Sequence, residues 1–123
     1  NRLQGALLIE AFNLIKDGIS SAEDIDKAIS EGLGLRWSFM GPFQTIHLNA
    51  PEGIVGYVNR YEKMYREMFD DPDVDWSSVV QLGLEEELLN LYSLEEQKKQ
   101  EERRDHKLIQ LLIHKKSSEK STQ

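Results

Sequence analysis

The sequence predicts an all-α fold, a helical bundle, and three observations carry that expectation. Apolar residues recur at helical spacing in each segment that contains them. No run alternates with the period of two that marks a strand, and cap or stop residues separate the periodic runs. The 123 residues suffice for one domain of ordinary size, able to bury roughly two-thirds of the surface the unfolded chain exposes.

The first helix is expected over residues 2–17. At 100° per residue Leu3, Leu7, Leu8, Ala11, Phe12, Leu14 and Ile15 share one broad arc, opposite Arg2, Asn13, Lys16 and Asp17. An arc that wide belongs to a helix with neighbours on several sides. Gly18 is the natural stop, because glycine accepts the left-handed conformation just past a helix end. Ser20-Ser21-Ala22-Glu23 is a capping signature for the second helix, whose stripe is Ile25, Ala28 and Ile29 and whose end is expected at Gly32 or Gly34. The stretch LGLRWSFMGPF, residues 33–43, reads as a structured loop leading into a short helix. Asn49-Ala50-Pro51-Glu52 reads as the cap of a helix over residues 52–69, with Ile54, Val58, Tyr61, Tyr65 and Met68 on one stripe. Asp70-Asp71-Pro72-Asp73 is expected to break it, and a further helix over residues 77–92 carries Leu84, Leu88 and Leu91 on one side.

The composition changes at Leu94. Residues 94–123 hold eight basic and six acidic groups, +2, against seven and sixteen, −9, for residues 1–93. The chain therefore divides into a helical domain, 1–93, and a charged helix with a disordered tail, 94–123, the disorder expected from Ser117 onward. Only Leu108, Leu111 and Leu112 offer that helix a docking face.

Charge and composition exclude several classes. A formal net charge of −7 repels phosphate backbones, so nucleic acid is not the expected partner. No apolar run approaches the ~20 residues that span a bilayer, and no secretory leader opens the chain. The absence of cysteine excludes disulfides, thiolate nucleophiles and cysteine zinc sites, and His47, His106 and His114 are too scattered to form a metal site by themselves. The chain begins at Asn1 and runs straight into a helix pattern, and it is expected to be a piece of something longer.

Few constellations carry chemistry. Gly32-Leu33-Gly34-Leu35-Arg36 follows a helix rather than a strand and lacks a third glycine, so helix termination explains it better than nucleotide binding. Glu85, Glu86 and Glu87 diverge by 100° each and form a solvated face. His47, alone in a short apolar helix, reads as a satisfied structural residue. Tyr57, Tyr61 and Tyr65 stand one turn apart, which suits a core ladder and also suits a helix packed on a partner subunit. Arg36 and Trp37 are the pair with most chemical content. The guanidinium can hold a carboxylate through two hydrogen bonds while the indole shuts out water; the alternative is that Arg36 caps a helix C-terminus. No acid/base pair can be assembled from the residues present.

Taken together, NRLQGALLIEAFNLIKDG, SAEDIDKAISEGLGLR and MGPFQTIHLNA resemble the C-terminal helical domain of the 3-hydroxyacyl-CoA dehydrogenase superfamily, densely from Asn1 to about Tyr65 and loosely afterwards. RWSFMGPFQTIHLNA is more similar to the lambda-crystallin branch, which oxidises L-gulonate, than to the acyl-CoA branch; the latter typically carries a Tyr-Pro-type pair in place of Arg36-Trp37 and Asp in place of His47. The resemblance implies a cytoplasmic, two-domain oxidoreductase whose N-terminal Rossmann domain, outside this chain, binds NAD and supplies a His–Glu pair. It implies a hydroxy-acid substrate in the cleft between domains, with Asn1 as the catalytic residue matching the family's Asn at the start of this domain's first helix. Arg36 and Trp37 would bind the substrate, and Tyr57, Tyr61 and Tyr65 would lie in a homodimer interface. This chain alone would be inactive and hold no cofactor or metal. An acyl-CoA enzyme of the same superfamily, with Arg36 near phosphate, and a free-standing helical interaction module are the other readings of these residues.

Overall fold

In a computed structural model, which describes residues 1–69 and 75–121, the chain forms two units, Asn1–Ser38 and a second from Phe39 onward. The expected break at Asp70-Asp71-Pro72-Asp73 lies outside the described residues. Every regular element among the described residues is helical, as the apolar spacing requires.

The first unit opens with α1, Arg2–Lys16. It ends in a Schellman motif: Gly18 adopts φ +70°, its N–H bonds the Ile15 carbonyl at 3.0 Å, and the Ile19 N–H bonds the Leu14 carbonyl at 2.9 Å. Helix α2, Ala22–Ala28, starts where the Ser21 hydroxyl accepts the Asp24 N–H at 3.1 Å. Its end differs from the expectation. Neither Gly32 nor Gly34 takes a positive φ; the helix widens into a π turn, Ile29–Leu33, and continues as α3, Gly34–Arg36. The Gly34 N–H bonds the Ile29 carbonyl, and a Cβ on Gly34 would stand 2.7 Å from that same oxygen. Glycine there permits close approach rather than termination. The unit buries none of its residues, and the apolar arc of α1 faces solvent, Phe12 being 71% exposed.

The second unit contains the core. Helix α4, Pro42–Leu48, has Pro in its first turn and Gly41 as its cap. Asn49 closes α4 rather than opening the next helix, and Gly53 caps α5, Ile54–Glu67. The expected start at Glu52 fails because Gly53 has φ +75° and turns the chain there. The expected helix over 77–92 is split: α6, Trp76–Val79, passes through a π turn, Val80–Leu84, in which Gly83 at φ +124° breaks the helical geometry before α7, Glu85–Leu91. Beyond the break Leu88 is buried, while Leu91, at the C-terminal end of α7, is 60% exposed. Ile54, Val58, Val80 and Leu88 form the core, with Ile46, Val55, Trp76, Leu84 and Tyr92 packed against it. Each fully buried aliphatic side chain contributes roughly 1.5–3 kcal/mol. A 3₁₀ turn, Leu94–Glu96, leads into α8, Gln97–Ser121. Leu108 and Leu111 are half-buried on α8, and the helix continues through Ser117–Ser121, where a disordered tail was expected.

Candidate functional site

The sequence-predicted residues fall into different parts of the chain. Asn1, Arg36 and Trp37 belong to the first unit, and Tyr57, Tyr61 and Tyr65 to the second. Asn1 is the N-cap of α1; its backbone carbonyl accepts the Gly5 N–H at 2.8 Å, while its exposed side chain makes no capping bond. Arg36 ends α3 with its side chain in solvent, and its guanidinium makes no hydrogen bond or ion pair among the described residues, so it does not cap a helix by side chain. Trp37 follows as the C-cap, 37% exposed. The Ser38 hydroxyl donates to the Gly34 carbonyl at 2.6 Å and, with the Trp37 N–H on the Leu33 carbonyl at 2.9 Å, fixes the backbone on both sides of the Arg-Trp pair. An exposed guanidinium beside an indole, on an anchored helix end, can take a carboxylate by a two-pronged contact.

The tyrosines form a ladder along α5. The Tyr57 and Tyr61 rings are 4.7 Å apart, the Tyr57 and Tyr65 hydroxyls are 3.4 Å apart, and the Tyr65 ring lies 5.5 Å from that of Trp76. Tyr57 and Tyr65 are half-buried within the unit, and Tyr61 is 39% exposed.

His47 is the satisfied structural histidine the sequence suggests, with a role the sequence does not reveal. It is 3% exposed. Its Nδ1 accepts the Ile54 N–H at 3.0 Å, which leaves Nε2 to carry the proton and donate to the Tyr92 carbonyl at 3.0 Å. One neutral imidazole thus caps α5 and ties it to the end of α7. Gln97 does a similar service at the C-terminus of α4: its Nε2 donates to the carbonyls of Ala50 at 2.8 Å and Leu48 at 3.1 Å. Glu62 was missed altogether. Its carboxylate accepts the Trp76 N–H at 2.7 Å and the Ser77 hydroxyl at 2.9 Å, capping α6 from α5. Beside it, the Ser78 hydroxyl and then Glu62 hold the Asp75 carboxyl below the usual aspartate value, with Arg66 adding attraction. No local signal marks this role, since its partners lie fourteen and fifteen residues away.

Near this framework an apolar cavity of about 300 Å³ opens among Phe43, Ile46, Ile54, Val58, Trp76 and Leu84. No group of three His, Cys, Asp or Glu side chains that could hold a metal occurs among the described residues. Nor is any helix among them long and apolar enough to cross a membrane.

Comparison with known proteins decides the family. The model for the 3-hydroxyacyl-CoA dehydrogenase C-terminal domain matches residues 1–86. The chain belongs to that family. Among relatives, the human lambda-crystallin homolog is 51% identical over 63 residues, 51% of this chain and 19% of that protein. The L-carnitine dehydrogenase of Bacillus cereus is 38% identical over 123 residues, 91% of this chain and 35% of the enzyme. A 3-hydroxyacyl-CoA dehydrogenase of Gibberella moniliformis is 38% identical over 121 residues, 94% of this chain and 38% of the enzyme. The chain thus spans only about a fifth to two-fifths of these proteins. No solved structure matches. As a 3-hydroxyacyl-CoA dehydrogenase C-terminal domain the chain has dehydrogenase relatives, and the family span stops short of α8.

Proposed function

We propose that this domain serves an NAD-dependent oxidoreductase that oxidises a 3-hydroxy acid, L-gulonate to 3-dehydro-L-gulonate, in the cytosol. The observation that carries the reading is Arg36: a guanidinium without a partner among the described residues, next to an exposed indole, in a chain half identical over 63 residues to a lambda-crystallin homolog. A sugar acid presents one carboxylate, which a guanidinium fork recognises through two parallel bonds. The Asn1 side chain, which makes no capping bond at the start of α1, orients the reacting end. The broad apolar arc of α1 and the half-exposed Tyr61 support burial against further protein, which on this reading is the parent's Rossmann domain and a second subunit.

NAD supplies hydride acceptance when bound, and this chain's residues do not fit it. The described residues include no strand–loop–helix unit of the kind that cradles a pyrophosphate, so no step is assigned to them through the cofactor. The chain's contribution is to bind and orient the acid.

L-carnitine is the second substrate this surface suits, because it too is a 3-hydroxy acid and its quaternary ammonium can rest on an indole face. Trp37, 37% exposed, offers such a face, and the carnitine relative covers 91% of this chain. Steady-state kinetics of the full-length parent test both readings. Arg36→Ala should lower kcat/KM by on the order of 30- to 1000-fold, corresponding to roughly 2–4 kcal/mol. Arg36→Lys should recover part of that. Wild-type kcat/KM for L-gulonate in Arg36→Ala would overturn the carboxylate assignment. A preference for carnitine that Trp37→Leu removes would select the second substrate.

A further inference from the structure

Beyond the span of the family model, α8 forms one wall of a cleft of about 250 Å³ that no catalytic reading of this domain uses. Arg103, Arg104 and Lys107 reach it from α8, together with the Gln100 amide, and the Phe39 and Tyr92 side chains line its other side. In a chain with 22 acidic residues, no carboxylate lines this cleft. Arg104 has a partner just outside, Asp105, at 3.0 Å. Arg103 and Lys107 have no carboxylate partner among the described residues, although Lys107 lies 5.8 Å from the centroid of the Phe39 ring. Lys99, Arg103 and Lys107 follow one another at one-turn intervals, an arrangement of like charges that costs helix stability unless an anion offsets it.

Two unpaired cations match a dianion better than a single carboxylate. The arginine fork favours the tetrahedral oxygens of a phosphate, and a half-exposed phenylalanine ring at the cleft favours an aromatic body stacked on its edge or face. We propose that this cleft binds a small aromatic phosphate monoester, its phosphate between Arg103 and Lys107 and its ring against Phe39. The site lies entirely in the second unit and does not depend on the dehydrogenase reading.

The test is titration of residues 1–123 with phenyl phosphate, followed through the backbone amides of residues 39–44 and 100–107 by heteronuclear NMR. Saturable shifts confined to those amides are expected. The double variant Arg103→Ala/Lys107→Ala should weaken binding by about tenfold or more while leaving the helical circular dichroism unchanged, since both side chains are exposed. Phe39→Ala should weaken phenyl phosphate but not inorganic phosphate, and benzoate should bind more weakly than phenyl phosphate. Three results would overturn the proposal: no saturable response at millimolar phenyl phosphate, undiminished binding by the double variant, or benzoate binding as tightly as the phosphate.

Discussion

The two units of the chain solve the same problem differently. In the unit from Phe39 onward, apolar side chains from α4, α5, α6 and α7 meet, and polar side chains fill the gaps at the helix ends: His47, Glu62 and Gln97 each satisfy backbone groups far along the chain. In Asn1–Ser38 the helix ends are satisfied locally, by Gly18 and Ser21, while the apolar arc of α1 finds nothing to bury it within the unit. Good local hydrogen bonding and poor burial therefore coexist in one segment. Caps define where helices begin and end; apolar burial supplies most of their stability. The first unit has the former without the latter, and on the proposed function its exposed arc is where further protein would pack.

Substitutions in the second unit sharpen this contrast. The largest effect is expected for Gly53→Ala. A Cβ there would stand 2.7 Å from His47 Cε1 on a backbone at φ +75°, so the variant should lose about 3–5 kcal/mol in urea denaturation. His47→Ala should follow at about 2–4 kcal/mol, because it strands the Ile54 N–H and removes the donor to Tyr92 together.

A smaller effect concerns acid. Since the Asp75 carboxyl is held below its usual value in the folded protein, its contribution is complete above the unfolded value and disappears as pH falls through the folded one. Asp75→Asn should therefore reduce the loss in urea midpoint between about pH 5 and pH 2.5 compared with wild type. The smallest change is expected for Phe12→Ser in the first unit, within about 0.5 kcal/mol for this chain alone but with improved solubility. A destabilisation of 2 kcal/mol or more, about that of a core truncation, would break the comparison by showing that Phe12 is buried after all.

How much of this was legible in the sequence depends on the range of each interaction. Gly18 and Ser21 act within their own turn, and the sequence placed both helix boundaries correctly. Asn49 looked like a cap because Asn and Pro suit one, yet the acceptor for the first N–H of α5 is an imidazole seven residues earlier, brought there by a turn that only Gly53 permits. Leu84, Leu88 and Leu91 all follow Gly83 and keep their common side, but the spacing did not reveal that Gly83 would split the helix before them. Arg36 and Trp37 stood out by residue type, but nothing in the spacing told that α3 would extend through Gly34 and leave the guanidinium without a partner among the described residues.

The π turn at Ile29–Leu33 has a consequence for chain length as well as for shape. It holds one residue more than an α-helical turn would, and one residue is worth about 100° of rotation about the helix axis. The direction in which Arg36 points is thus set by the hydrogen-bond pattern of this turn as much as by the residues in it. Because the wide turn absorbs the rotation of its extra residue, removing a single residue from Ile29–Leu33 would restore an even spiral and leave the guanidinium pointing nearly where it does. Tightening the same residues into an unbroken α-helix would instead swing it by nearly a third of a circle.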